Sequence, residues 1–93
     1  MRATTPGFVL LVFDRKDEDP QVRVGFTVTK KIGGAVVRNR MKRRFRALAR
    51  EILSSKGIPG ADHVMIGRGK GIERDFSLLR NELQAALDRL RRK

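Results

Sequence analysis

The chain has 93 residues, of which 22 are Lys or Arg and 10 are Asp or Glu, for a formal charge of +12. That length predicts one domain over residues 1–93, and 40% apolar content supports a core and excludes a disordered basic tail. The absence of Cys excludes a disulfide framework or thiol nucleophile, the single His excludes a His-rich metal centre, and no apolar run nears the roughly 20 residues that span a bilayer.

Residues 1–7 read as a short N-terminal tail. Residues 8–13 (FVLLVF) are an apolar, β-branched and aromatic run of strand length. Alternation puts Phe8, Leu10 and Val12 on one face and Val9, Leu11 and Phe13 on the other, so this strand expects cover on both sides. Residues 14–21 form a charged connection ending near Pro20. Asp14, Asp17, Glu18 and Asp19 fall there, but without the glycine and terminal Glu of a calcium loop. Residues 22–28 alternate Val22, Val24 and Phe26 against Arg23, Gly25 and Thr27, as a half-buried strand does. Two strands joined by a polar loop predict an antiparallel hairpin, although the loop is long for a tight turn.

Gly33 and Gly34 break the chain before a helix over about residues 36–54. At about 100° per residue, Val37, Met41, Phe45, Leu48 and Ile52 share an arc of about 80°. Asn39, Lys42, Arg43, Arg46 and Arg50 lie opposite, with Arg38 and Arg40 on the flanks. Between Lys30 and Arg50 there are nine basic residues and no acid. Like charges at i,i+4, such as Lys42 with Arg46, repel by a few tenths of a kcal/mol. A helix selected for stability alone would intersperse Glu. The predominance of Arg suits bidentate contact with phosphate, so the composition points to a polyanion binder, foremost of nucleic acid.

Residues 61–67 (ADHVMIG) predict a third strand. Adjacent Asp62 and His63 point to opposite faces and form no acid–base dyad. Gly67, Gly69 and Gly71 frame Arg68 and Lys70 in a loop without the pattern of an ATP-binding site, but suited to facing RNA. Asp75 predicts the cap of a final helix with Leu79, Leu83, Ala86, Leu87 and Leu90 at helical spacing, followed by a basic tail at 91–93. The predicted order is β-β-α-β-α, a small two-layer α-β sandwich of the α+β class.

Residues 23–46, RVGFTVTKKIGGAVVRNRMKRRFR, closely resemble the signature of the bacterial ribonuclease P protein family, in which a strand ending in a basic pair passes through a glycine turn into an A-V-x-R-N-R-x-K-R helix. The resemblance implies an α-β sandwich with a left-handed crossover, against the usual hand. It implies a protein, monomeric in the holoenzyme, that joins a catalytic RNA to remove the 5′ leader of precursor tRNA. The RNA would supply the catalytic core and its Mg²⁺, so the polypeptide carries no catalytic residue or evident metal site of its own. Arg38, Asn39 and Arg40 correspond to the RNR motif. Lys42, Arg43, Arg46 and Arg50 extend that surface, Lys30 and Lys31 match the basic pair, and Arg68 and Lys70 are added from the glycine-rich loop. Phe8 and Thr29 are candidates for a leader cleft, with core packing the other role open to Phe8. The family usually has an aromatic-bearing N-terminal helix, absent ahead of Phe8 here, and Gly34 stands where Asn is common. The basic helix alone would equally fit a ribosomal-type or architectural RNA-binding protein. The expected compartment is the cytoplasm, with no membrane partner.

Overall fold

A computed structural model describes residues 1–91. It has four strands, β1 (Arg2–Thr4), β2 (Phe8–Asp14), β3 (Arg23–Thr27) and β4 (Ala61–Gly67), in the sheet order β1-β2-β4-β3. After β3 comes a continuous helical stretch. It consists of α1 (Ala35–Leu48), a π-helical turn (Ala49–Leu53) and a short α2 (Ser54–Lys56). A 3₁₀ turn (Gly69–Gly71) precedes α3 (Phe76–Arg91). The mixed α+β sandwich expected from the sequence is the fold observed.

Two expectations are corrected. Residues 1–7 are not a loose tail, because Arg2–Thr4 pair antiparallel with Val9–Leu11 as an edge strand. Nor do the second and third strands form a hairpin: β4 lies between them, antiparallel to β2 over seven residues and parallel to β3 over five. The connection between β2 and β3 is long enough to pass the end of β4. The amide of Arg15 donates to the Gly60 carbonyl, and that of Gly60 to the Pro20 carbonyl. The Arg15 guanidinium reaches Asp17, Asp62 and the Asp19 and Gln21 carbonyls. The loop is thus built around one nearly enclosed cation. Its hydrogen bond, with another from the Asp19 amide, holds the Asp17 carboxyl below the usual carboxylate range. The final residues of the expected basic tail, 92 and 93, lie outside the described residues, whereas Arg91 still belongs to α3 and its guanidinium donates to the Lys56 and Gly57 carbonyls.

One face of the sheet is covered by the helices. Phe8, Leu10 and Val12 of β2 and Met65 of β4 meet Met41, Phe45 and Leu48 of α1, with Leu79, Leu83, Leu87 and Leu90 of α3 completing the core. Phe45 is 0% exposed and meets Phe8 edge to face at 5.8 Å between ring centroids. The π-helical turn has a packing reason. At a uniform 100° per residue Leu53 would sit at about 160°, among the cations. The wider turn carries it back, and Ile52 and Leu53 are both buried. Within this turn, Glu51 pairs with Arg80 of α3 at 2.9 Å.

His63 is fully buried and holds β3 to the loop before β4. The Ile58 amide donates to Nε2 at 3.0 Å, so Nδ1 carries the proton and donates to the Arg23 carbonyl at 3.2 Å. Burial lowers its pKa from 6.5 despite the acceptor at Arg23, and a proton on Nε2 would face the Ile58 N–H. Its contribution to stability is complete above the unfolded value of 6.5. It is lost as the pH falls from there through the lower folded value, by at most about 1.4 kcal/mol per pH unit for one proton. Because the chain has one His, an NMR titration of its imidazole reports this directly. The expected midpoint lies below 6.5, and one at or above it contradicts the buried neutral ring.

Candidate nucleic-acid interface

The backbone turns from β3 into α1 within seven residues. The Ile32 amide donates to the Thr29 carbonyl at 3.0 Å, which puts Lys30 and Lys31 at the exposed centre of a turn. Gly33 takes φ +157°, and a Cβ there would lie 3.2 Å from Val37. Gly34 is the N-cap of α1 and offers no side-chain bond, and the first turn carries no acid. The positive end of the helix dipole therefore stays uncompensated beside the two lysines.

The outer side of α1 carries the charge. Asn39, Arg40, Arg43, Arg46 and Arg50 are exposed, while Arg38 and Lys42 are half-buried. Val36, Asn39, Lys42, Arg43 and Arg46 line a depression of about 480 Å³. Val36 itself is 82% exposed, an apolar residue at the edge of a cationic dish. Such a surface has donors for several phosphates and room for a sugar or base between them. The acid nearest in sequence, Glu51, is engaged with Arg80.

The residues expected at this interface divide into three groups. Lys30 and Lys31 lie on the turn, Asn39, Arg40, Arg43, Arg46 and Arg50 on the exposed side of α1 and the π-helical turn after it, and Arg38 and Lys42 half-buried beside them. Arg68 and Lys70 are exposed just past the C-terminal end of β4, which the parallel pairing of Thr27 with Ile66 sets at the same end of the sheet as the lysine turn. Arg68 donates to the Thr5 carbonyl at 2.8 Å and its amide to the Gly7 carbonyl at 3.1 Å, tying the glycine-rich loop to the start of β2. Packing there is close, since a Cβ on Gly71 would come within 2.5 Å of the Gly7 carbonyl oxygen. Thr29 is exposed beside the lysine turn, whereas Phe8 does not line a cleft. It is 0% exposed, because the alternation of β2 turns it toward the helices.

The opposite sheet face is where the open aromatic lies. Pairing registers align Val9 with Ile66, Leu11 with Val64 and Phe13 with Asp62 on that side. Phe13 is 52% exposed, and no helix among the described residues covers this face. Its apolar character was readable from strand alternation. Which of the two faces the helices would take was not.

Arg44 looks in sequence like one more phosphate ligand. In the structure its guanidinium turns inward to the carbonyls of Gly71, Ile72 and Arg74, joining α1 to the loop before α3. Arg44→Ala is expected to lower stability by about 1–3 kcal/mol, since it removes charged hydrogen bonds to backbone, with little change in RNA affinity. Arg43→Ala should do the reverse. Urea unfolding and a binding titration on both variants check this, and equal behaviour of the two would contradict it.

Among the described residues no group of three or more His, Asp or Glu is placed to hold a metal ion, and no helix is long and apolar enough to cross a membrane.

Comparison with known proteins agrees with this architecture. The family Ribonuclease P matches residues 1–91. The ribonuclease P protein component of Erythrobacter litoralis is 56% identical over 91 residues, covering 98% of this chain and 74% of that protein. The corresponding protein of Caulobacter vibrioides is 52% identical over 73 residues, covering 78% of this chain and 49% of that protein. Among solved structures, the RNase P protein of Staphylococcus aureus superposes with a TM-score of 0.79 at 28% identity, over 97% of this chain and 80% of that one. That of Thermotoga maritima gives 0.77 at 33% identity, over 96% and 82%. An extended match of sequence and fold carries the cationic α1 and the strand and turn before it, and the chain belongs to the ribonuclease P protein family.

Proposed function

We propose that this chain is the protein subunit of a ribonuclease P holoenzyme, binding the catalytic RNA through the outer side of α1 and assisting removal of the 5′ leader from precursor tRNA. The observation that supports it is the acid-free cationic surface of α1 and its preceding turn, set in the sequence context of that family. Arg38, Asn39 and Arg40 start the contact at the helix N-terminus, where the backbone dipole also favours phosphate. Lys42, Arg43, Arg46 and Arg50 continue it along the helix, and Lys30 and Lys31 extend it onto the turn. These residues bind and orient RNA by charge and bidentate hydrogen bonds.

The polypeptide is not the catalyst in this reading. Its one His is buried with both ring nitrogens engaged, and the described residues present no carboxylate set for metal-assisted hydrolysis. The Mg²⁺ of the reaction belongs to the RNA, whose core supplies the chemistry. The protein lowers the Mg²⁺ requirement by placing cations where RNA strands approach one another. The leader of the precursor meets the open sheet face, where Phe13 presents a ring on which a base can stack. One protein copy per holoenzyme, in the cytoplasm, completes the reading.

The test is reconstitution with a bacterial catalytic RNA at low Mg²⁺, following cleavage of precursor tRNA with and without the protein. Faster cleavage in its presence is the expected result. Tight RNA binding with no effect on cleavage at any Mg²⁺ concentration would favour a general RNA-binding role instead.

A further inference from the structure

A second recess lies beyond the cationic dish, on the helix-covered side of the sheet, where β3 is the outermost strand. Val22, Val24, Phe26 and Leu53 give it an apolar floor, Arg46 and Arg50 stand at its rim, and its volume is about 280 Å³. Val24 is 40% exposed at this edge, although its strand position points it toward the helices. The widened π-helical turn forms the far wall through Ala49 and Leu53. The Arg46 guanidinium carbon stands 6.0 Å from the centroid of the Phe26 ring, within cation–π range.

We infer that this groove is a pocket for one unstacked nucleobase of single-stranded RNA, with the flanking phosphates held by Arg46 and Arg50. The inference rests on the RNA-binding reading above and adds to it a site, a ligand class and a mode of contact. Aromatic faces and guanidinium planes are the two platforms on which proteins stack single-stranded bases, and here one lies over the other. A base can extend the Phe26–Arg46 stack into the groove while its edges meet Val22, Val24 and Leu53. Charge selects the occupant. No acid lines the recess, and Glu51 on the same turn is paired with Arg80 on α3. An apolar protein segment would find the floor suitable but would leave two arginines without counter-charge at the rim. A nucleotide satisfies both parts. The site is separate from the open face carrying Phe13, which lies on the other side of the sheet.

The test is methyl-resolved NMR on the full chain, titrated with a five-residue oligoadenylate and with an abasic ribose-phosphate oligomer of equal length. Ring-current shifts at the methyls of Val22, Val24 and Leu53 are expected with oligoadenylate only. The abasic oligomer should bind about tenfold more weakly or worse, the scale of one lost stack. Val24→Lys adds a cation while filling the groove with its stem. It is expected to abolish the shifts at Val22 and Leu53 without weakening the abasic oligomer. Shifts confined to Val9, Leu11, Val64 and Ile66, or equal affinity for the two oligomers, would overturn the pocket while leaving RNA binding intact. Failure of either oligomer to bind at low salt would overturn both.

Discussion

Replacing Phe45 with Ala is expected to destabilise the domain by about 3–5 kcal/mol, the scale of a buried aromatic deleted from a packed core. The ring is 0% exposed and holds α1 to the sheet through its edge-to-face contact with Phe8. A domain of this size has roughly 5–15 kcal/mol of total stability, so much of it goes with one side chain. Urea unfolding decides the matter. A loss under about 1 kcal/mol would mean that the ring is not the anchor of the helix. The conservative Phe45→Leu should keep most of the stability and leave RNA affinity unchanged, which separates packing from binding.

Removing Arg40, Arg43 and Arg46 together should have the largest effect on function with little effect on the fold. All three are exposed, and their replacement by Ala relieves like-charge repulsion along the helix. Each contact to a duplex phosphate contributes about 0.9 to the slope of log affinity against log salt, and about 0.7 for a single strand. The triple variant should therefore bind the catalytic RNA with a slope smaller by about 2 to 2.7 units. Filter binding over a salt series measures this. An unchanged slope would move the RNA to another surface, even if affinity fell.

Local pattern made several elements legible. The strand at residues 61–67 and the helix beginning after Asp75 occur where the sequence places them, because each has a period, a boundary signal and one buried face. Phe45 was readable as core for the same reason. Pairing partners were not, since no local period records that β4 would separate β2 from β3. Strand β1 has three residues and precedes Pro6 and Gly7, too little for an alternation to register. The π-helical turn hid behind a helical pattern that fitted until Leu53.

The candidate site was legible in the same uneven way. Acid-free charge on one helix side survives any choice of topology, so Arg38, Asn39, Arg40, Lys42, Arg43, Arg46 and Arg50 appear on the surface together. Alternation gives two faces without saying which the helices take, so by itself it leaves Phe8 open between core and cleft. Arg44 differs from Arg43 only by a rotation about the helix, and its three carbonyl partners come from the loop before α3, far away in sequence. The groove at Val24 required both the edge position of β3 and the widened turn.

The central claim, that the outer side of α1 is the surface that docks the catalytic RNA, can be tested by proximity. The chain contains no Cys, so one introduced thiol can carry a tethered iron chelate that cleaves nearby RNA. Val36→Cys places the chelate at the edge of the cationic depression, and Ala85→Cys places it on the exposed side of α3. Focused cleavage of the catalytic RNA from position 36 and little from position 85 is the expected result. Focused cleavage from position 85, with position 36 silent in a complex that still forms, would contradict it.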